Sequence, residues 1–139
     1  MPIEDLARSD VVTAPSETSV TELATTMDEQ NVGSIVITEG ETPVGIVTDR
    51  DLTVRVLAEQ ADRDETAANV MSDDLCTIDS ENGFYQAAQL MSEHGIRRLP
   101  VCNENDELTG IITADDLTEL LADEQQQLAE AIRAQRPPY

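Results

Sequence analysis

Threonine and aspartate recur at one spacing in two places along this chain. Gly45-Ile46-Val47-Thr48-Asp49-Arg50-Asp51 is echoed sixty-five residues on by Gly110-Ile111-Ile112-Thr113-Ala114-Asp115-Asp116. Each copy follows an apolar run and leads into helically spaced apolar residues, Leu52 and Val56 in one, Leu117, Leu120 and Leu121 in the other. Thr and Asp therefore stand where a strand gives way to a helix, and the unpaired N–H groups of a helix start attract anions. A Thr48 or Thr113 hydroxyl can donate to a phosphate or sugar oxygen. An Asp51 or Asp116 carboxylate can accept from two neighbouring hydroxyls. The same Thr-x-x-Asp spacing also suits a capping box, in which the two side chains only satisfy the backbone of their own helix. Repetition with glycine at the same offset, inside a longer repeat, favours the binding reading.

Other residues with chemical potential are few. His94, the one histidine, sits beside Gly95 at a helix end, where a polar or cationic cap is common. Cys76 and Cys102 lie in apolar, strand-like stretches without CxxC spacing and read as buried free thiols. No compact His/Cys/carboxylate cluster has metal-ligand spacing, and nothing pairs a nucleophile with a base. Neither a metal centre nor catalytic machinery is expected.

The elements that must position the two motifs follow from periodicity. Residues 3–8 read as a short helical lead-in, and Val11-Val12-Thr13 as a strand closed by Pro15. Ser19-x-x-Glu22 is a capping box opening a helix whose Val20, Leu23, Ala24 and Met27 fall at i, i+3, i+4 and i+7. Ser34-Ile35-Val36-Ile37 is a β-branched buried strand, and Glu39-Gly40-Glu41 turns the chain into a second strand over 44–47. A second helix spans 49–58. A shift of 64 residues repeats this order: Thr13 meets Thr77, Met27 meets Met91, and Val20, Leu23 and Ala24 meet Phe84, Ala87 and Ala88. One extra residue in the turn at 103–107 changes the offset to 65, so that Gly45 meets Gly110.

The chain thus divides into a first repeat over 1–60, a second over 61–125, and a helical extension and tail over 126–139. Residues 59–66 form a charged linker, and residues 67–72 repeat the lead-in. Leu128, Ala131 and Ile132 carry the last helix on through Gln125-Gln126-Gln127, until Pro137-Pro138-Tyr139 stops it. A unit of about sixty residues buries little alone, so the two copies should pack together. The fold class is α+β, two strand-helix-strand-strand-helix repeats related by a pseudo-twofold axis.

Composition narrows the partners. The 139 residues carry 29 acids against 8 bases, a net charge of −21, and every base is Arg. That balance argues against nucleic acid and anionic membrane as partners. With 40% hydrophobic residues in clear periodicity, disorder is excluded as well. The acidic, Lys-free surface resembles that of an extreme halophile's protein, where molar salt shortens the Debye length to ~3 Å. No leader opens the chain and no apolar run approaches ~20 residues, so a soluble cytoplasmic protein is expected.

Two such repeats, each ending in Gly-apolar-apolar-Thr-x-x-Asp, resemble the cystathionine-β-synthase (CBS) domain pair, or Bateman module. Gly95-Ile96-Arg97-Arg98-Leu99-Pro100-Val101 is also typical of it. The resemblance covers residues 11–121 and implies a regulatory module, not an enzyme. Such a module binds AMP, ADP, ATP, S-adenosylmethionine or a dinucleotide between its repeats, without a required cofactor, and signals to a regulated protein. It also implies association into a homodimer, to which the broad last-helix face of Leu117, Leu120, Leu121 and Leu128 points. The alternative from another class is a ligand-free dimerisation scaffold.

Carried over residue by residue, one site would hold Thr13, Val32, Gly33, Thr48 and Asp51, with Arg97 and Arg98 reaching phosphates from the second repeat. Guanidinium suits that role because it donates in a fork and stays charged. A solvated turn or ion pairing with the abundant carboxylates is the alternative for this pair. The second cleft, with Thr77, Thr113 and Asp116, is expected to be weaker. There bulky Arg97-Arg98 stands where adenine would lie, Gly33-Ser34 where phosphates would lie, and Asp115 replaces Arg50.

Overall fold

The computed structural model describes residues 1–72 and 74–138. Tyr139, the last residue of the expected tail, lies outside them. The elements are α1 (Ile3–Leu6), β1 (Thr13–Pro15), α2 (Val20–Gln30), β2 (Ser34–Glu39), β3 (Thr42–Thr48) and α3 (Asp49–Asp51), which continues as a π-helical Leu52–Ala58. Then come α4 (Ala67–Val70), β4 (Ile78–Asp79), α5 (Phe84–His94), β5 (Arg98–Cys102), β6 (Leu108–Thr113) and α6 (Ala114–Ala134). Two three-stranded sheets result, β1-β2-β3 and β4-β5-β6, each with a parallel and an antiparallel pair. The register of each antiparallel pair shifts at the same place, after Ile37 and after Val101. The architecture is the expected α+β pair of repeats.

Local chemistry explains the boundaries. Ser19 Oγ accepts from the Glu22 N–H at 3.2 Å to open α2, and Asn31 closes it in the left-handed region at φ 54°. Gly95 closes α5 in the same way at φ 61°. The first strand starts later than its apolar spacing suggests, at Thr13 instead of Val11. It is an edge strand, and there Pro15 costs no ladder bond, because its missing N–H would face away from β2. Ala24 and its counterpart Ala88, expected on the buried helix faces, are exposed; Val20, Leu23, Met27, Ala87 and Met91 do the burying.

The two cores are completed by exchange. Ile3 of α1 is fully buried among Ile78, Leu99, Val101 and Ile112 of the second repeat. Ala67 and Val70 of α4 are buried among Leu23, Ile35, Ile37 and Val47 of the first. Each lead-in then crosses the last strand of the repeat it serves, Arg8 exchanging backbone bonds with Ile111 and Ser72 with Ile46.

This crossing is why both motifs begin with glycine. A Cβ on Gly110 would lie 2.8 Å from the Arg8 carbonyl oxygen, and one on Gly45 would collide with Met71 Sδ and lie 3.0 Å from the Ser72 carbonyl oxygen. Met71 can swing aside more easily than the Arg8 backbone. Gly110→Ala is therefore expected to destabilise by about 1–3 kcal/mol and Gly45→Ala by less, as overpacked sites do. Thermal unfolding checks the order, and equal melting temperatures for both variants would contradict it.

Candidate functional site

Each motif's Thr and Asp form a reciprocal capping box. The Thr48 N–H donates to Asp51 Oδ2 at 2.8 Å while the Asp51 N–H donates to Thr48 Oγ1 at 3.1 Å. Thr113 and Asp116 repeat this at 3.1 Å in both directions. The capping reading of Thr-x-x-Asp therefore holds in both copies, but it engages only one carboxylate oxygen. The other oxygen, Oδ1, distinguishes the two clefts.

At Asp116, Oδ1 accepts from Arg8 Nη2 at 2.9 Å and Nε at 3.2 Å. The carboxylate holds the Arg8 guanidinium above its ordinary pKa, through the hydrogen bond first and through charge second. Both oxygens of Asp116 are thus engaged. At Asp51, Arg55 Nε stands 3.9 Å from Oδ1, beyond hydrogen-bond reach. The Arg55 guanidinium is instead held behind the cleft, donating to the carbonyl oxygens of Val70 at 2.9 Å and Met71 at 3.1 Å. Among the described residues none hydrogen-bonds Asp51 Oδ1, which is therefore able to accept from a ligand, on a side chain only 18% exposed.

A cleft of about 380 Å³ opens in front of Asp51, lined by Ile46, Thr48, Asp49, Arg50, Asp51, Ser72, Gly95, Ile96, Arg97 and Arg98. It brings together Thr48, Asp51, Arg97 and Arg98 of the expected set. Thr13 and Val32 are not among its lining residues; Thr13 is exposed on β1, and Val32 packs on the first core. Gly33 borders it, since a Cβ there would sit 3.5 Å from Arg98 Nη2 and 3.3 Å from Asp49 Oδ2. A smaller space of about 200 Å³ adjoins, sharing Ile46, Ser72, Ile96 and Arg98 and adding Asp74, Leu75, Cys76 and His94. His94 Nδ1 lies 3.0 Å from the Leu90 carbonyl oxygen, a bond that requires the proton on Nδ1.

Among the described residues, three of the chain's eight arginines line the Asp51 cleft beside two aspartates, a concentration of cations in a protein of net −21. Arg98 is half-buried and spans toward the first repeat. Arg97 meets Asp115 at 3.1 Å, with side chains 73% and 77% exposed. A pair so open to water contributes little, so that guanidinium can be recruited by a phosphate. Burial, reinforced by nearby carboxylates, pushes both thiols up from the usual cysteine range. Cys102 is buried, Cys76 is half-buried, and both are free.

Two residues that decide between the clefts, Arg8 and Ser72, were missed by sequence reasoning. A signal for them was available: at the 64-residue offset they are each other's counterparts, a long cation on one lead-in and a hydroxymethyl on the other. Ser72→Arg is accordingly expected to put a guanidinium against Asp51 and close the open cleft. Arg8→Ser should free Asp116 Oδ1. A crystal structure of each variant checks this; in the Ser72→Arg protein, a new guanidinium directed into solvent would contradict it.

Two consecutive stretches, residues 3–58 and 67–123, match the CBS domain family. The chain is 39% identical over 121 residues to an uncharacterised protein of Methanopyrus kandleri, covering 85% of this chain but only 61% of that relative. A CBS domain-containing protein of Bacillus subtilis is 34% identical over 115 residues, covering 83% of this chain and 81% of its own length. Among solved structures, a CBS domain protein from Pyrobaculum aerophilum, complexed with AMP, superposes with a TM-score of 0.77 at 28% identity. That match covers 84% of this chain and 89% of the other.

Proposed function

The chain belongs to the CBS domain family, and on that footing we propose that it is a regulatory module binding an adenosine nucleotide or related adenosyl ligand in the Asp51 cleft. The observation that carries this reading is the asymmetry at the carboxylates: Asp51 Oδ1 is open and faced by arginines, whereas Asp116 Oδ1 is filled by Arg8. Ribose hydroxyls would donate to Asp51 Oδ1, the Thr48 O–H would donate to a phosphate or sugar oxygen, and Arg98, with Arg97 released from Asp115, would meet phosphates. The AMP complex of the Pyrobaculum relative supports the ligand class.

Regulation follows if the ligand prefers one arrangement of the repeats and a partner protein reads that arrangement. Ser72, Ile96 and Arg98 put parts of both repeats and the exchanged segment around one cleft, so occupancy bears on all three. The module works as a homodimer through its helical side, a reading supported by the exposed Val54, Leu57, Tyr85 and Leu121 and by the outward-facing Ala24 and Ala88. It works in molar salt and in the cytoplasm; among the described residues no helix is long and apolar enough to cross a membrane.

A thermal-shift screen of AMP, ADP, ATP and S-adenosylmethionine in molar salt tests the ligand class. A ligand at 100 times its dissociation constant stabilises by about 2.7 kcal/mol. No shift with any of the four would favour a ligand-free scaffold instead.

A further inference from the structure

Asp51 and Arg55 stand four residues apart, the spacing at which opposite charges on a helix meet. Yet 3.9 Å separates Arg55 Nε from Asp51 Oδ1. The guanidinium is held elsewhere, because Nη1 donates to the carbonyl oxygens of Val70 at 2.9 Å and Met71 at 3.1 Å. These carbonyls end α4, where a helix leaves oxygens without partners of its own. Among the described residues no other side chain bonds them. The helix carrying Arg55 is π-helical from Leu52 to Ala58, a rare form that recurs at functional sites.

The second repeat is built otherwise. At the 65-residue offset Arg55 becomes Leu120, inside the regular helix α6. Its lead-in instead carries Arg8, which bonds Asp116 Oδ1 directly. Each motif aspartate therefore has one guanidinium beside it, filling the acceptor in one repeat and kept off it in the other.

We propose that Arg55 is a positioning residue for the Asp51 cleft. Anchored on the α4 carbonyls, it presents a fixed positive charge to Oδ1 from just outside hydrogen-bond distance. Coulomb attraction falls only slowly with separation, whereas a hydrogen bond is lost by 3.9 Å. The carboxylate is thus oriented while its lone pairs stay open to ribose hydroxyls. A planar fork can bond two carbonyls through one nitrogen and face Oδ1 with another; an ammonium has a single nitrogen and cannot. The clamp also fixes the residues just before Ser72, which lines the cleft. The inference rests on the reading of Asp51 as the ribose-binding group.

Calorimetric titration in molar salt with AMP and with 2′,3′-dideoxy-AMP, which lacks the ribose hydroxyls, tests it on the full chain. The wild type is expected to prefer AMP. Arg55→Met should lower AMP affinity about tenfold, the size of a typical coupling between neighbouring groups, and leave the dideoxy analogue unchanged. Arg55→Lys should also weaken AMP about tenfold, because a free ammonium four residues on pairs with Oδ1 itself. A wild type that binds AMP no better than the analogue removes the ribose reading, and this inference with it. A wild type that prefers AMP, with equal losses for both ligands in Arg55→Met, makes Arg55 merely structural and overturns the inference alone. Full AMP affinity in either variant also overturns it alone.

Discussion

Asp51→Ala is expected to lower adenosyl-ligand affinity ten- to a hundredfold, and Asp116→Ala to leave it unchanged. The difference lies in what each carboxylate already holds. Asp51 offers Oδ1 to a ligand from a mostly buried side chain, and losing a charge-assisted hydrogen bond in such a place typically costs a few kcal/mol. Asp116 spends Oδ1 on Arg8 and Oδ2 on its own helix cap, so its removal takes nothing from the ligand. Arg98→Ala is expected to weaken phosphate-bearing ligands while sparing adenosine itself, because on the proposed reading its guanidinium, which stands close to Gly33 of the first repeat, is the group that meets phosphate. Arg97→Ala should do less, since Arg97 must first leave Asp115. Calorimetric titration of the four variants decides the matter, and equal losses from Asp51→Ala and Asp116→Ala would contradict the asymmetry.

Removing salt is expected to unfold the protein. At net −21 the uncompensated carboxylates repel over a Debye length that grows from ~3 Å at 1 M to ~30 Å at 0.01 M, so repulsion confined to neighbours becomes global. Three ion pairs among the described residues offset little of it, and each lies at least partly in water. The load is visible where the two hairpin tips meet. There the Leu108 N–H donates to the Glu41 carbonyl oxygen, and Glu107 holds the Glu41 carboxyl above the usual carboxylate range through a hydrogen bond and through charge. A melting temperature that rises steeply between millimolar and molar salt is the expected record, and a flat one would remove the argument for a high-salt setting.

Much of this arrangement was legible in the residues themselves. The 64-residue offset carried the repeat, the i, i+3, i+7 positions carried α2 and α5, and the glycine-led motif marked the strand-to-helix junctions at Thr48 and Thr113. Periodicity reports which face of an element is apolar, but it is silent on which core a four-residue helix will enter. For that reason the burial of Ile3 under the second repeat, and of Val70 under the first, had no local signal. Arg8 was hidden by the same gap, since only the exchanged lead-in brings it to Asp116. Ala24 misled because a small residue at i+4 fits either a buried face or an open groove. Of the candidate residues, Thr48, Asp51, Arg97 and Arg98 line one cleft and Gly33 borders it, while Thr13 and Val32, carried over from the resemblance, are not among its lining residues.

The central claim is that one adenosyl ligand binds each chain, at Asp51. Calorimetric titration of AMP into the wild-type protein in molar salt tests it most directly, with Arg8→Ser as the comparison. We expect one site per chain in the wild type and a second, weaker site only once Arg8 is gone. Two equal sites in the wild type, or no heat of binding in either protein, would contradict the account.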